Sequence, residues 1–179
     1  FRSAFPTVVQ ENFAPDSRIY ASPLYLDTLS LIYNQDLFDS AGIALPPSTW
    51  TEFQNLVSRL RALDATGKIV KAGAAIGGGN RNINRATDLL SALMLQAGVP
   101  MVAPDFSRAT FANAGREVLQ FYTKFANPAN ATFYTWSDSF ANSIDGFANG
   151  TIAMIFNYHF QLPVIQAKNP FLKLAIAPL

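Results

Sequence analysis

After Pro46-Pro47, the residues Phe53, Leu56, Val57, Leu60 and Leu63 recur at helical spacing until Gly67. Thr49 and Glu52 stand three apart at the head of that run and form a capping box, so the pattern predicts a helix beginning near Trp50. Upstream, Leu29-Ser30-Leu31-Ile32-Tyr33 reads as a strand, Asn34 as the cap of a short helix from Gln35 to Ala41, and Gly42 as its left-handed stop. Ile69 to Ile76 reads as a second strand, followed by the loop Gly77-Gly78-Gly79-Asn80-Arg81-Asn82. Asn84 is placed to cap an apolar helix over Ala86 to Ala97 that Gly98-Val99-Pro100 closes. Phe111 to Phe125 predicts a further helix, ended by Asn127-Pro128. An aromatic, hydroxyl-rich loop over Asn130 to Ser143 and a short helix to Asn149-Gly150 come next. A buried-type strand from Thr151 to Phe156, a helix from about Phe160 to Lys168 and a strand from Leu172 to Ala177 complete the pattern.

Helices alternating with short strands predict an α/β fold, a mixed sheet flanked by helices. The opening twenty residues are polar, broken by Pro6 and Pro15, and end in Arg18-Ile19-Tyr20-Ala21-Ser22-Pro23, read as a short strand leaving a turn. A weak boundary lies near Ala21 to Leu29, where this leader gives way to regular α/β punctuation.

Composition narrows the function classes. Half of the 179 residues are hydrophobic and 14% are charged, which belongs to an ordinary globular chain and not to a disordered one. The net charge of +1 comes from scattered residues with no basic run, which argues against a nucleic-acid partner. No stretch approaches the roughly 20 apolar residues of a bilayer span. Cysteine is absent and His159 is the single histidine, which removes thiolate and multi-histidine metal sites, and no Gly-x-Ser-x-Gly elbow or phosphate-binding glycine motif is present. No cofactor is called for.

Two groups of residues remain as candidate ligand-binding chemistry. The glycine loop brings bare backbone next to Asn80, Arg81 and Asn82, whose directional hydrogen-bonding groups suit a neutral polyhydroxylated ligand. The same pattern also fits glycines that only turn the chain and asparagines that cap the next helix. Among the aromatics in loops, Trp136 and Tyr158 stand out as faces on which a sugar could pack, with core filling as the alternative use. His159 is either a polar lining residue or a lone general base.

Three stretches in this order resemble the bacterial extracellular solute-binding proteins of the sugar-importer type, the family that includes maltose-binding protein. They are Ile19 to Phe38, containing Tyr33-Asn34-Gln35-Asp36-Leu37-Phe38; Ala41 to Phe53, containing Pro46-Pro47-Ser48-Thr49-Trp50-Thr51-Glu52-Phe53; and Phe147-Ala148-Asn149-Gly150-Thr151-Ile152-Ala153-Met154 running on to Leu179. The resemblance covers nearly the whole chain and implies a periplasmic-binding-protein-like (type II) lobe within a two-lobed protein. Residues 1–28 are then the end of an N-terminal lobe with a hinge strand, and 29–179 a truncated C-terminal lobe. It also implies a carbohydrate or similar polar solute as ligand, an importer's membrane permease as partner, and an extracytoplasmic location with a lipid anchor in the full-length protein.

The resemblance assigns sugar hydroxyls to Asp27, with Tyr25 near it, and cleft-lining roles to Asn80 to Asn82. It places Tyr158 and His159 where maltose-binding protein carries a stacking Trp. Because the piece starts late and stops at Ala177-Pro178-Leu179, half the cleft is expected to be missing and ligand binding by the piece alone to be weak or absent, while self-association of the truncated lobe through its exposed surface stays open. The competing readings are an α/β carbohydrate-active enzyme, whose catalytic carboxylate pair would come from Asp27, Asp88, Asp138 and Asp145, and a surface interaction domain without a small-molecule ligand.

Overall fold

The computed structural model describes residues 4–14, 16 and 18–178. Among the described residues seven α-helices and five strands are formed: α1 Thr7–Phe13, β1 Leu29–Asn34, α2 Gln35–Ser40, α3 Trp50–Leu60, β2 Ala62–Leu63, β3 Ile69–Lys71, α4 Ala86–Gln96, α5 Gly115–Thr123, α6 Ser143–Ala148, β4 Met154–Tyr158, α7 Leu162–Lys168 and β5 Leu174–Ala177.

The first local expectations hold for the reasons the residues suggest. The Asn34 side chain accepts from Leu37 N–H at 3.1 Å and Gly42 takes φ +64°, so α2 starts and stops on its own signals. Thr49 Oγ1 accepts from Glu52 N–H at 3.2 Å, and the Glu52 carboxylate reaches back to Ser48 N–H at 2.7 Å.

β1 is the centre of the three-stranded sheet, paired antiparallel with β4 (Leu29↔Tyr158 to Tyr33↔Met154) and with β5 (Leu31↔Ala177 to Asn34↔Leu174). Its residues are buried almost without alternation because helices and loops cover both faces. β2 and β3 form a separate small hairpin.

Several elements depart from the sequence pattern. Leu63 does not extend the α3 stripe; the helix ends at Leu60 and Leu63 enters β2, where it is exposed. Regular pairing of the strand expected over Ile69 to Ile76 stops at Lys71. Beyond it the chain runs alongside β4 through an isolated parallel bridge between Ala72 and Ile152 and a bond from Ala75 N–H to Met154 O. The ladder breaks there because the Thr135 hydroxyl accepts from the N–H groups of Gly73 (2.7 Å) and Ala74 (3.3 Å). Gly73 also lies so close to α3 that a Cβ would sit 2.2 Å from Val57 O.

The helix expected over Phe111 to Phe125 has its regular part only from Gly115 to Thr123, then tightens into a 3-10 turn at Lys124–Ala126. The strand expected at Thr151 to Phe156 is shifted to Met154–Tyr158, and the following helix opens with a 3-10 turn, His159–Gln161. Arg18 to Pro23 forms no strand, whereas Thr7 to Phe13, in the stretch read as irregular, is helical; the Pro15 break lies outside the described residues.

The main core gathers Phe38, Phe53, Phe125, Trp136, Phe147 and Ile155, all essentially inaccessible. Val9 and Ala14 are buried as well but lie outside this cluster. At the core's edge Tyr122 donates its hydroxyl to Gly78 O at 2.7 Å, and burial pushes its phenol up to about 12 from 10.0. Because the folded value is the higher one, the contribution of the neutral phenol is complete below pH 10 and is lost as pH climbs through the folded value. Urea titrations should show about 2–3 kcal/mol of Tyr122-dependent stability disappearing across that window. Tyr122→Phe should flatten the decline; an unchanged slope would show that other groups cause it.

Candidate functional site

At the end of β4 the chain reads Asn157-Tyr158-His159-Phe160, with Tyr158 the last strand residue and Phe160 inside the 3-10 turn that follows. The turn brings Tyr158 and Phe160 nearly parallel, with 14° between ring planes and 6.1 Å between centroids. The Arg85 guanidinium covers both, its Cζ 5.4 Å from the Tyr158 centroid and 5.5 Å from that of Phe160. Phe160 remains 48% exposed, which leaves an aromatic surface open to a partner molecule.

Arg85 reaches this place from an unusual backbone position. It precedes α4 with φ +67°, a left-handed conformation uncommon outside glycine. Its neighbour Asn84 is drawn away from the capping role the sequence suggests: Asn84 N–H donates to Ser143 Oγ at 2.9 Å, and Asn84 Oδ1 accepts from Asn157 Nδ2 at 3.0 Å. Asn80 takes over the cap from the preceding loop. Its Oδ1 accepts from Thr87 N–H at 3.3 Å and its Nδ2 donates to Thr87 Oγ1 at 3.2 Å. Asn80, Asn84, Arg85, Thr87 and Asp88 line a polar hollow of about 280 Å³ beside the aromatic pair.

Asp88 completes the surface. It pairs with Arg85 at 3.8 Å. Partial burial first, and then the facing Asp88 carboxylate, raise the Tyr158 phenol above its ordinary value.

From the segment leading into β1, Asp27 Oδ1 accepts from Thr28 N–H (2.7 Å) and His159 N–H (3.1 Å), and Oδ2 accepts from Phe160 N–H (2.9 Å). Partial desolvation works to raise the Asp27 pKa, but the three backbone donors together outweigh it and the carboxyl sits below its usual range. The His159 ring contacts Ser30 Oγ through Nε2 at 3.1 Å.

The eight residues singled out from the sequence therefore fall into different places. Asp27, Tyr158 and His159 meet at one turn, and Asn80 lines the adjoining hollow. Tyr25 is 80% exposed on the segment before β1, and Arg81 is exposed on the glycine loop. Asn82 is buried, donating to Phe140 O at 3.4 Å and accepting from Ser143 N–H at 2.7 Å through its backbone carbonyl.

Trp136 is completely buried, stacked on Phe140 at 5.1 Å, and presents no face to a ligand. The loop glycines serve that packing: a Cβ on Gly78 would sit 2.6 Å from Trp136 Nε1, and Gly77 turns with φ +99°. Sequence reasoning passed over Arg85 and Phe160 and weighed Asp88 only as a catalytic carboxylate. The two-residue spacing of Tyr158 and Phe160 at a strand end was the available signal; nothing in the sequence marks the left-handed turn that aims Arg85.

Compared with known proteins, residues 2–179 match a family model described as bacterial extracellular solute-binding protein. A solute-binding protein of an ABC transporter from Thermotoga lettingae, bound with alpha-D-tagatose, superposes with a TM-score of 0.73 at 23% identity, over 98% of this chain and 44% of that one. An ABC substrate-binding protein from Listeria monocytogenes in complex with cycloalternan gives 0.71 at 20% identity, over 98% and 43%. UgpB from Mycobacterium tuberculosis in complex with glycerophosphocholine gives 0.72 at 17% identity, over 99% and 42%. A curated binding protein of Brucella abortus is 35% identical over 48 residues, 27% of this chain and 12% of that protein. The chain thus spans less than half the length of these structural neighbours.

Proposed function

Since the chain belongs to the bacterial extracellular solute-binding proteins, we propose that it supplies most of one lobe of a receptor that captures a carbohydrate or similar polar solute outside the cytoplasm and delivers it to the permease of an ABC importer. The observation that carries this reading is the half-exposed Tyr158–Phe160 pair next to the hollow lined by Asn80, Asn84, Arg85, Thr87 and Asp88. Flat apolar faces beside directional hydrogen-bonding groups match the two-sided character of a sugar.

In this reading residues 29–179 form the C-terminal lobe and 1–28 the end of the other lobe with the hinge. The burial of Val9 and Ala14 apart from the main core supports that division. A lipid anchor in the full-length protein, and self-association of the isolated piece through the outer edge of β5, belong to the same proposal.

An enzymatic reading finds less support at this surface. Asp27 is occupied by three backbone N–H groups and Asp88 by Arg85, which leaves neither carboxylate disposed as a free acid or base.

A thermal-shift screen of the full-length protein against D-tagatose, mannobiose, maltotriose, polyols and glycerophosphodiesters tests the proposal. One saccharide should stabilise the protein, since a ligand at about 100 times its dissociation constant adds about 2.7 kcal/mol. Phe160→Ala should weaken that ligand about tenfold. A folded protein that responds to no saccharide would transfer the proposal to another polar solute, and undiminished binding by Phe160→Ala would remove this surface from it.

A further inference from the structure

We propose that Asp27 is a positioning residue: it fixes the Tyr158-His159-Phe160 turn from the lead-in to the neighbouring strand β1 and makes no contact with the ligand itself. The proposal rests on reading that turn as the ligand-stacking surface, and it departs from the expectation that Asp27 binds sugar hydroxyls.

A carboxylate offers about four lone-pair sites, and three of those on Asp27 are taken by backbone N–H groups, two on Oδ1 and one on Oδ2. His159 and Phe160 open the 3-10 turn that leads into α7, where the first N–H groups of a helix have no partner within it. Neither Tyr158, which precedes that turn, nor Gln161, which ends it and precedes α7, supplies a capping side chain. Asp27 supplies it from 132 residues earlier in the chain.

The Ser30–His159 contact, from the second residue of β1, is a second tether on the same residue. Held at His159 by both, the turn has Tyr158 and Phe160 on either side of the anchored residue, with their rings 14° from parallel under Arg85. Residues 19–28, which carry Asp27, pair with no strand among the described residues.

Two measurements on the full-length protein decide the matter. The first needs no ligand: hydrogen exchange, read by mass spectrometry on peptides spanning 157–161, should accelerate at least about tenfold in Asp27→Asn and further in Asp27→Ala, with distant peptides unchanged. Unaltered protection would overturn the proposal whatever the protein binds.

The second is calorimetry with tagatose, mannobiose and maltotriose on wild type, Asp27→Asn, Phe160→Ala and the double variant. If Asp27 acts through the ring turn, each single variant weakens the bound saccharide about tenfold and the double variant is within about twofold of Phe160→Ala. Losses that multiply to about a hundredfold would mean an independent contact with the sugar and would overturn it. A wild type that binds none of the three counts against the saccharide reading, and the exchange result then decides Asp27 alone.

Discussion

Trp136→Ala is expected to remove about 3–5 kcal/mol of stability, as truncating a fully buried indole leaves a large cavity. Trp136 has zero exposure and packs on Phe140, and the bare backbone of Gly78 accommodates its indole edge. Thr135 and Trp136 both donate their N–H groups to Phe125 O, at 2.8 and 3.0 Å, so the same segment that seats the indole ties the end of α5 to the sheet's irregular edge. Emptying the site should therefore loosen two elements together. Urea unfolding followed by circular dichroism reads the loss. A change below about 1 kcal/mol would mean that the loop collapses into the cavity without cost.

Gly73→Ala is the second large effect expected. Its Cβ would stand 2.2 Å from Val57 O and 2.9 Å from both Val57 C and Cα, all backbone atoms of a helix whose Val57 side chain is fully buried. No rotamer can relieve such a clash. α3 or the 72–76 segment must move, and about 3 kcal/mol or more should be lost. Gly79→Ala is the matched control: nothing lies within 4 Å of its Cβ. It should stay within about 0.5 kcal/mol of the parent protein. Equal urea midpoints for the two variants would refute the close approach of α3.

Elements whose signals are local were legible in the sequence. Asn34 and Gly42 bound α2, and Thr49 with Glu52 starts α3, because a cap needs only residues within one turn of it. Those decided by distant partners were not. Asn84 looks like a cap until Asn157 and Ser143 compete for it, and Asn80 fills the vacancy. The strand expected to reach Ile76 stops at Lys71 because a hydroxyl from Thr135 satisfies the next two N–H groups.

The site shows the same division. Tyr158, His159, Asp27 and Asn80 could be picked out as polar or aromatic residues next to strand ends. Arg85 could not, since its place over the two rings depends on a positive φ that non-glycine sequence rarely announces. Trp136 misleads in the opposite direction: it lies in a loop by sequence, yet the loop folds under the sheet's edge and hides the ring.

The position of β1 has a consequence in time. The middle strand of the sheet, β1, is made well before either of the strands that flank it, β4 and β5. A ribosome-bound intermediate ending before Met154 carries β1 without β4 or β5, its apolar side chains and unpaired N–H and C=O groups available to chaperones or to other nascent chains. Helices α2 and α3 can form on their own caps in that interval, whereas the sheet must wait for β4 and β5 and close loops of high sequence separation, which makes its assembly the slow event in folding.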